Sequence, residues 1–210
     1  SNAFLIGQNA TALRILGRLN ESIDLHKTAL KLDPLMPEMR SWQALAYFYA
    51  GQLDEAEAAY RTTLTLSPEY SGAHFRLGRV LLLKGRLDEA LEATRLEKGA
   101  TYYYTGLAIV FHTLGNHEAS QSALDYLIKN SADSAAYQIA EVYGSRNEPD
   151  KAFQWLEQSL VIRDSGLSAI LGDPAFHGLH TDPRWKPFLK KLGLLVFWLE
   201  MPPEHGGPVQ

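Results

Sequence analysis

Residues 51–56 read GQLDEA. Thirty-four positions earlier the chain reads GRLNES (17–22), and thirty-four positions later GRLDEA (85–90). A phrase set at a fixed interval is the signature of a repeat architecture. With the glycine as ruler the series runs Gly17, Gly51, Gly85, Gly115 and then Asn147, at intervals of 34, 34, 30 and 32 residues. Asn can stand in for the fifth glycine because it tolerates a left-handed backbone better than most other residues.

Two columns of small residues accompany the ruler. Seven positions before each turn stand Ala10, Ala44, Gly78, Ala108 and Ala140, and five positions after it Ser22, Ala56, Ala90, Ser120 and Ala152. Four before the turn the residue is large and apolar: Leu13, Tyr47, Leu81, Phe111, Tyr143. This is the pattern of a helix hairpin. Small residues at the crossing let two helix axes approach to about 8 Å, and the large residue fills the space beside it. The phrase itself is a helix stop, a short turn and an acidic first turn. Glycine takes the left-handed position that ends the first helix. Leu19, Leu53 and Leu87 plug the hairpin, and Asp54–Glu55 and Asp88–Glu89 suit the positive end of the next helix. KLDP (31–34) and TLSP (65–68) close second helices, since proline disfavours helix in the residue before it.

Period, small columns, turn glycine and closing proline together resemble the tetratricopeptide repeat. The resemblance covers about residues 3–163 and implies an all-α fold: a right-handed superhelical solenoid of about five helix hairpins plus short C-terminal capping helices. The expected repeats are about 3–36, 37–70, 71–100, 101–132 and 133–163, within an array over 4–163. The third lacks its closing proline and loses four residues around EKGAT (97–101), so a bend in the stack is expected between residues 96 and 104. The opening SNA (1–3) looks like the scar of a removed expression tag.

Beyond the repeats, GDP (172–174) and TDP (181–183) are helix-start signals, Asp as cap and Pro in the first helical position. Residues 164–200 are expected to form short helices covering the apolar face of the last repeat. Pro187 should kink or shorten the helix that holds it. Residues 201–210, MPPEHGGPVQ, are expected to form a disordered tail. The stretch GDPAFHGLHTDPRWKPFLKKLGL (172–194), with the aromatic pair at 197–198, resembles the C-terminus of bacterial multidomain signalling proteins, winged-helix regulators and adenylate cyclases. LDPLMP (32–37) is similar to a joint between repeats in that group. The resemblance implies a sensor or docking half of a larger regulatory protein.

Composition narrows the function. The 210 residues carry a net charge of −4, which disfavours a general nucleic-acid binder. There is no cysteine, so disulfide and thiolate chemistry are excluded. No apolar run approaches the roughly 20 residues of a membrane span. The cytoplasm is the default expectation, though no signal fixes a compartment. Phosphate-loop, GxSxG and HExxH motifs are absent, and no enzyme activity or cofactor is expected. His177 and His180 stand at i, i+3, but no complete ligand set accompanies them, so no metal is expected. RWKPFLKK (184–191) mixes cations and aromatics, which dipole and packing roles explain. His26 occupies a column otherwise held by Tyr60, Thr94, Leu124 and Leu156 and reads as a packed core histidine.

The remaining signal lies on the first helix of each hairpin. At 100° per residue, the stripe opposite the buried one passes through the positions 13, 10, 6, 3 and 2 before the turn. The resemblance implies that first helices line the concave inner surface. The stripe and its flanks nominate Trp42, Leu45, Tyr49, Phe75, Arg76, Arg79, Tyr102, His112, Tyr137 and Glu141 as partner-binding residues, because aromatic and arginine side chains dominate recognition hot spots. Tyr104 should face the hairpin core and Tyr102 the groove. The expected function is a protein–protein interaction scaffold holding a peptide or protein segment in the concave groove. The alternatives are a self-association module, through the same surface or LLVFW (194–198), and a small-molecule sensor, which would need a closed pocket with converging polar groups.

Overall fold

A computed structural model describes residues 2–208. Ten helices form five antiparallel hairpins in series: α1 (Asn2–Ile15) with α2 (Leu19–Leu32), α3 (Pro37–Tyr49) with α4 (Leu53–Leu66), α5 (Ala73–Leu83) with α6 (Leu87–Arg95), α7 (Ala100–Thr113) with α8 (His117–Ser131), and α9 (Ala136–Ser145) with α10 (Pro149–Val161). Each second helix packs on the next first helix, and successive first helices touch one another, so α1, α3, α5, α7 and α9 form one continuous inner wall.

The turns obey one local rule. Gly17, Gly51, Gly85, Gly115 and Asn147 have φ of 74°, 72°, 74°, 76° and 57°. The next residue's N–H reaches back to the carbonyl of the large apolar residue four before the turn, as in Arg18 to Leu13, Gln52 to Tyr47 and Glu148 to Tyr143, each 2.9 Å. This closing bond satisfies a carbonyl that the ended helix leaves without a partner. The small columns meet as their size requires. Ala44, Ala56, Ala140 and Ala152 have no exposed surface. Ser22 Oγ donates to the Ala10 carbonyl at 2.7 Å, and Ser120 Oγ to that of Ala108 at 2.5 Å. Of the three plug leucines, Leu19 is buried and Leu53 and Leu87 are half-buried.

The third hairpin is irregular where its sequence is short. α6 has nine residues against fourteen in α4. The Glu97 carboxylate accepts from the N–H groups of Gly72 (3.2 Å), Phe75 (3.3 Å) and Gly99 (3.1 Å), tying the shortened connection to the start of α5. Between the second and third hairpins, Glu57 accepts from Arg61, Lys84 and Arg86. Desolvation opposes its charge, yet these three cations hold its pKa down at about 2.

After α10 the chain folds back onto the solenoid. α11 (Trp185–Lys191) lies against α10, and α12 (Leu195–Glu200) follows it toward the α1–α2 turn. Phe188 meets Phe153 edge to face and Lys191 pairs with Glu157 at 2.5 Å. Pro187 falls in the first turn of α11, where its missing N–H removes no ladder bond. The 3₁₀ turns Ser165–Ala169 and Pro174–Leu179 pack on α9 and α10, where Leu167, Phe176 and Leu179 join the apolar cluster of the last hairpin, and the first turn also reaches the inner wall. The tail is not disordered where it is described. Met201, His205, Gly206 and Gly207 are buried, Trp198 Nε1 donates to the Gly206 carbonyl at 3.0 Å, and Met201 lies against Gly17. Proline and glycine suited this stretch to tight turns against a surface. Residues 209–210 of the expected tail lie outside the described residues.

Candidate functional site

Nine of the ten nominated residues line one cavity: Trp42, Leu45 and Tyr49 from α3, Phe75, Arg76 and Arg79 from α5, Tyr102 from α7, and Tyr137 and Glu141 from α9. The 100° arithmetic brought them together because every first helix presents the same face. His112 stands apart, its ring 5.1 Å from that of His117 across the α7–α8 turn. A further wall of the cavity is the chain's own Ser165–Ala169 turn, which the sequence did not place there. Tyr102 faces the cavity, stacked on Phe75 at 5.4 Å, while Tyr104 stacks on Tyr126 of α8.

The segment from 164 to 180 thus fills part of the groove. It is fixed at its start by Asp164, whose carboxylate accepts from Tyr137 N–H at 3.0 Å and Gly166 N–H at 2.9 Å. Gly166 lies flat on the Tyr137 ring and Gly172 on Tyr49. A methyl group at either position would come within 2.5 Å and 2.8 Å of those side chains. Asp173 accepts from Ala175 N–H at 3.0 Å, the cap its GDP context predicted. It does more: it pairs with Arg79 and accepts from Tyr137 Oη at 3.0 Å. The Arg79 guanidinium also reaches Glu141 at 2.7 Å and lies over the Phe48 and Phe75 rings.

Two buried carboxyl groups therefore share one guanidinium. Burial pushes Glu141 well above the ordinary carboxylate range, Arg79 opposes this and the neighbouring Asp173 charge adds to it. Burial also resists ionisation of Asp173, but Arg79 and the hydrogen bonds from its neighbours outweigh it and leave its pKa lowered. The two shifts run in opposite directions, so Arg79 holds the Asp173 charge more firmly than that of Glu141. Burial and the Asp173 charge likewise raise the Tyr137 phenol.

The histidines singled out earlier are packing residues. His26 is buried at the α1–α2 crossing, 3.4 Å from Ser22 Oγ, and burial lowers its pKa to about 4. His180 stacks on Trp185 at 4.6 Å and meets Trp198 edge-on, and burial lowers it to about 4 as well. Arg184 pairs with Asp150 and Asp182, so the cations of 184–191 are partly spent within the fold.

The sequence reading missed one residue of this cavity that carries charge. Arg14 of α1 lines it beside Thr11. The signal was present: the positions 6 and 3 before Gly17 in the first repeat are Thr11 and Arg14.

Comparison with known proteins agrees with the hairpin geometry. The tetratricopeptide repeat model matches residues 8–61 and, overlapping, 43–101. The chain is a tetratricopeptide repeat protein. It is 29% identical over 124 residues to the BBSome complex member BBS4 of Bos taurus, covering 57% of this chain and 23% of that protein. It is 30% identical over 186 residues to the TPR repeat-containing thioredoxin TTL4 of Arabidopsis thaliana, covering 82% of this chain and 25% of that one. The chain thus spans about a quarter of the length of these curated relatives. A thermophilic TPR protein of Thermus thermophilus superposes with a TM-score of 0.58 at 24% identity, over 79% of this chain and 99% of that one. The likeness to that structure establishes the solenoid fold. The fold is that of a protein–protein interaction scaffold, and among the described residues no helix is long and apolar enough to cross a membrane.

Proposed function

We propose that this tetratricopeptide repeat protein is a non-catalytic scaffold whose inner wall grips a short peptide or protein segment, and that residues 165–179 occupy this grip in the present state. The observation that carries this reading is the Arg79–Asp173 pair with Gly166 and Gly172 pressed on Tyr137 and Tyr49. An acidic residue is read by a buried arginine and glycines are read by aromatic faces, which is how a groove selects a segment. A partner segment of the same chemistry, an aspartate flanked by small residues and followed by an aromatic, would compete for the wall. The resemblance of 172–194 to signalling proteins supports placing this docking function within a larger bacterial regulatory protein.

The test supplies the segment in trans. A labelled peptide of residues 165–179 is titrated into the full chain carrying Asp173→Ala, which loosens the resident copy, and binding is read by fluorescence anisotropy. Saturable binding that Arg79→Ala abolishes in the same background supports the reading. Absence of binding, or binding indifferent to Arg79, refutes it. Self-association is the second reading, favoured by Val196 and Leu199, exposed one turn apart on α12. Light scattering on the purified chain, with and without Val196→Glu, separates the two.

A further inference from the structure

Beside the segment just described, the cavity holds positive charge that the chain does not neutralise. Arg79 is matched by Asp173 and Glu141. Arg14 is 7% exposed, and its Nε and Nη1 have no hydrogen-bond partner. Its guanidinium lies 5.6 Å from the Tyr49 ring centre, and burial followed by repulsion from Arg76 lowers its pKa. Arg76 lines the same cavity, placed over the Tyr102 ring at 5.2 Å, and makes a hydrogen bond of 3.4 Å to the Ser71 carbonyl. Thr11 Oγ1, on the same wall, is also buried without a partner. A desolvated guanidinium with unmet N–H groups is among the costliest states a side chain can hold, so Arg14, facing the same cavity as the half-buried Arg76, calls for an anion.

We infer that this cavity is the binding site of a small organic anion, its carboxylate or phosphate head held by Arg14 and Arg76 and its apolar body against Trp42, Tyr49 and Tyr102. The cavity volume of about 270 Å³ suits a small molecule. Arginine suits both heads, since its planar donors match either. Ser165 and Ser168, from the segment that closes the cavity, add hydroxyls on the opposite wall. The site uses arginines that the Asp173 pair leaves free, so it stands independently of the peptide-grip reading.

The test uses the full chain in phosphate-free buffer at low salt. Phenylacetate, phenyl phosphate and inorganic phosphate are titrated by calorimetry, with benzyl alcohol as the neutral control. At least one anion binds, benzyl alcohol does not, and Arg14→Met weakens the anion at least tenfold. Preference between phenylacetate and phenyl phosphate assigns the head group, and inorganic phosphate binding as well as phenyl phosphate would mean that the apolar wall contributes nothing, overturning that part of the assignment. Should Arg14→Met fail to fold, Arg76→Met is measured with the same expectation. The inference fails if no anion binds above the alcohol, or if the variant that folds binds as the parent does.

Discussion

Removing Arg79 tests the buried charge cluster most directly. In Arg79→Met the stem is replaced by a side chain of similar shape, but Asp173 and Glu141 lose their shared cation while Glu141 remains 3% exposed and Asp173 1%. Breaking a buried pair by deleting one partner costs about 3–5 kcal/mol. The two carboxyl variants behave differently. Glu141→Gln keeps the shape of a carboxyl whose charge burial already disfavours, so a cost of about 0.5 kcal/mol is expected, the scale of a neutral exchange. Asp173→Asn leaves Arg79 with Glu141, which ionises in its place, and costs about 1–2 kcal/mol. Urea unfolding at pH 7 followed by circular dichroism gives all three values. In Arg79→Met both carboxyls have folded pKa values above their unfolded ones. That loss is therefore largest above the ordinary carboxylate range and shrinks as pH falls and both take up protons. A Glu141→Gln cost equal to that of Arg79→Met would mean that Glu141 is charged, and the upward shift assigned to its burial would be wrong.

His26 has a folded pKa of about 4 against an ordinary 6.5, so the unfolded chain binds the extra proton and stability drops as pH falls from 6.5 toward 4. The loss is about 2 kcal/mol at pH 5, and His26→Leu, which matches Leu124 and Leu156 in its column, should flatten that part of a pH–stability curve. Gly144→Ala places a methyl 2.5 Å from the Ala175 carbonyl, a backbone atom that cannot give way locally. It should cost about 1–3 kcal/mol and raise protease cleavage within 165–182, whereas an unchanged digest would contradict the placement of that segment. Ala56→Leu forces bulk between α3 and α4, where Ala44 and Ala56 have no exposed surface. A loss of about 3 kcal/mol is expected in thermal unfolding, and a neutral result would refute the small-column explanation of the hairpin.

What the sequence disclosed follows a division between local and distant causes. The five hairpins were legible because each is set within one repeat: a left-handed turn residue, two small residues twelve apart, and a carbonyl five positions back. Nine cavity residues were legible because helical geometry carries one face along each first helix. The path of 164–208 was not, because it depends on partners with no periodic relation to it. Asp173 sits 94 positions from Arg79, and nothing near GDP distinguishes a cap that also pairs from a cap that does not. Arg14 was equally legible, since the same offsets counted back from Gly17 point to it.

The contact of Met201 with Gly17 has its own consequence. In an open array each unit leans only on its neighbours, so the outermost units fray and order can spread from anywhere along the line. Here positions separated by most of the chain's length touch, and the line becomes a loop. Loss of the terminal residues would be felt at the opposite extremity, in the amide protection of α1 and α2. Completing so distant a closure should also make the final folding step slower than that of an open array of equal length.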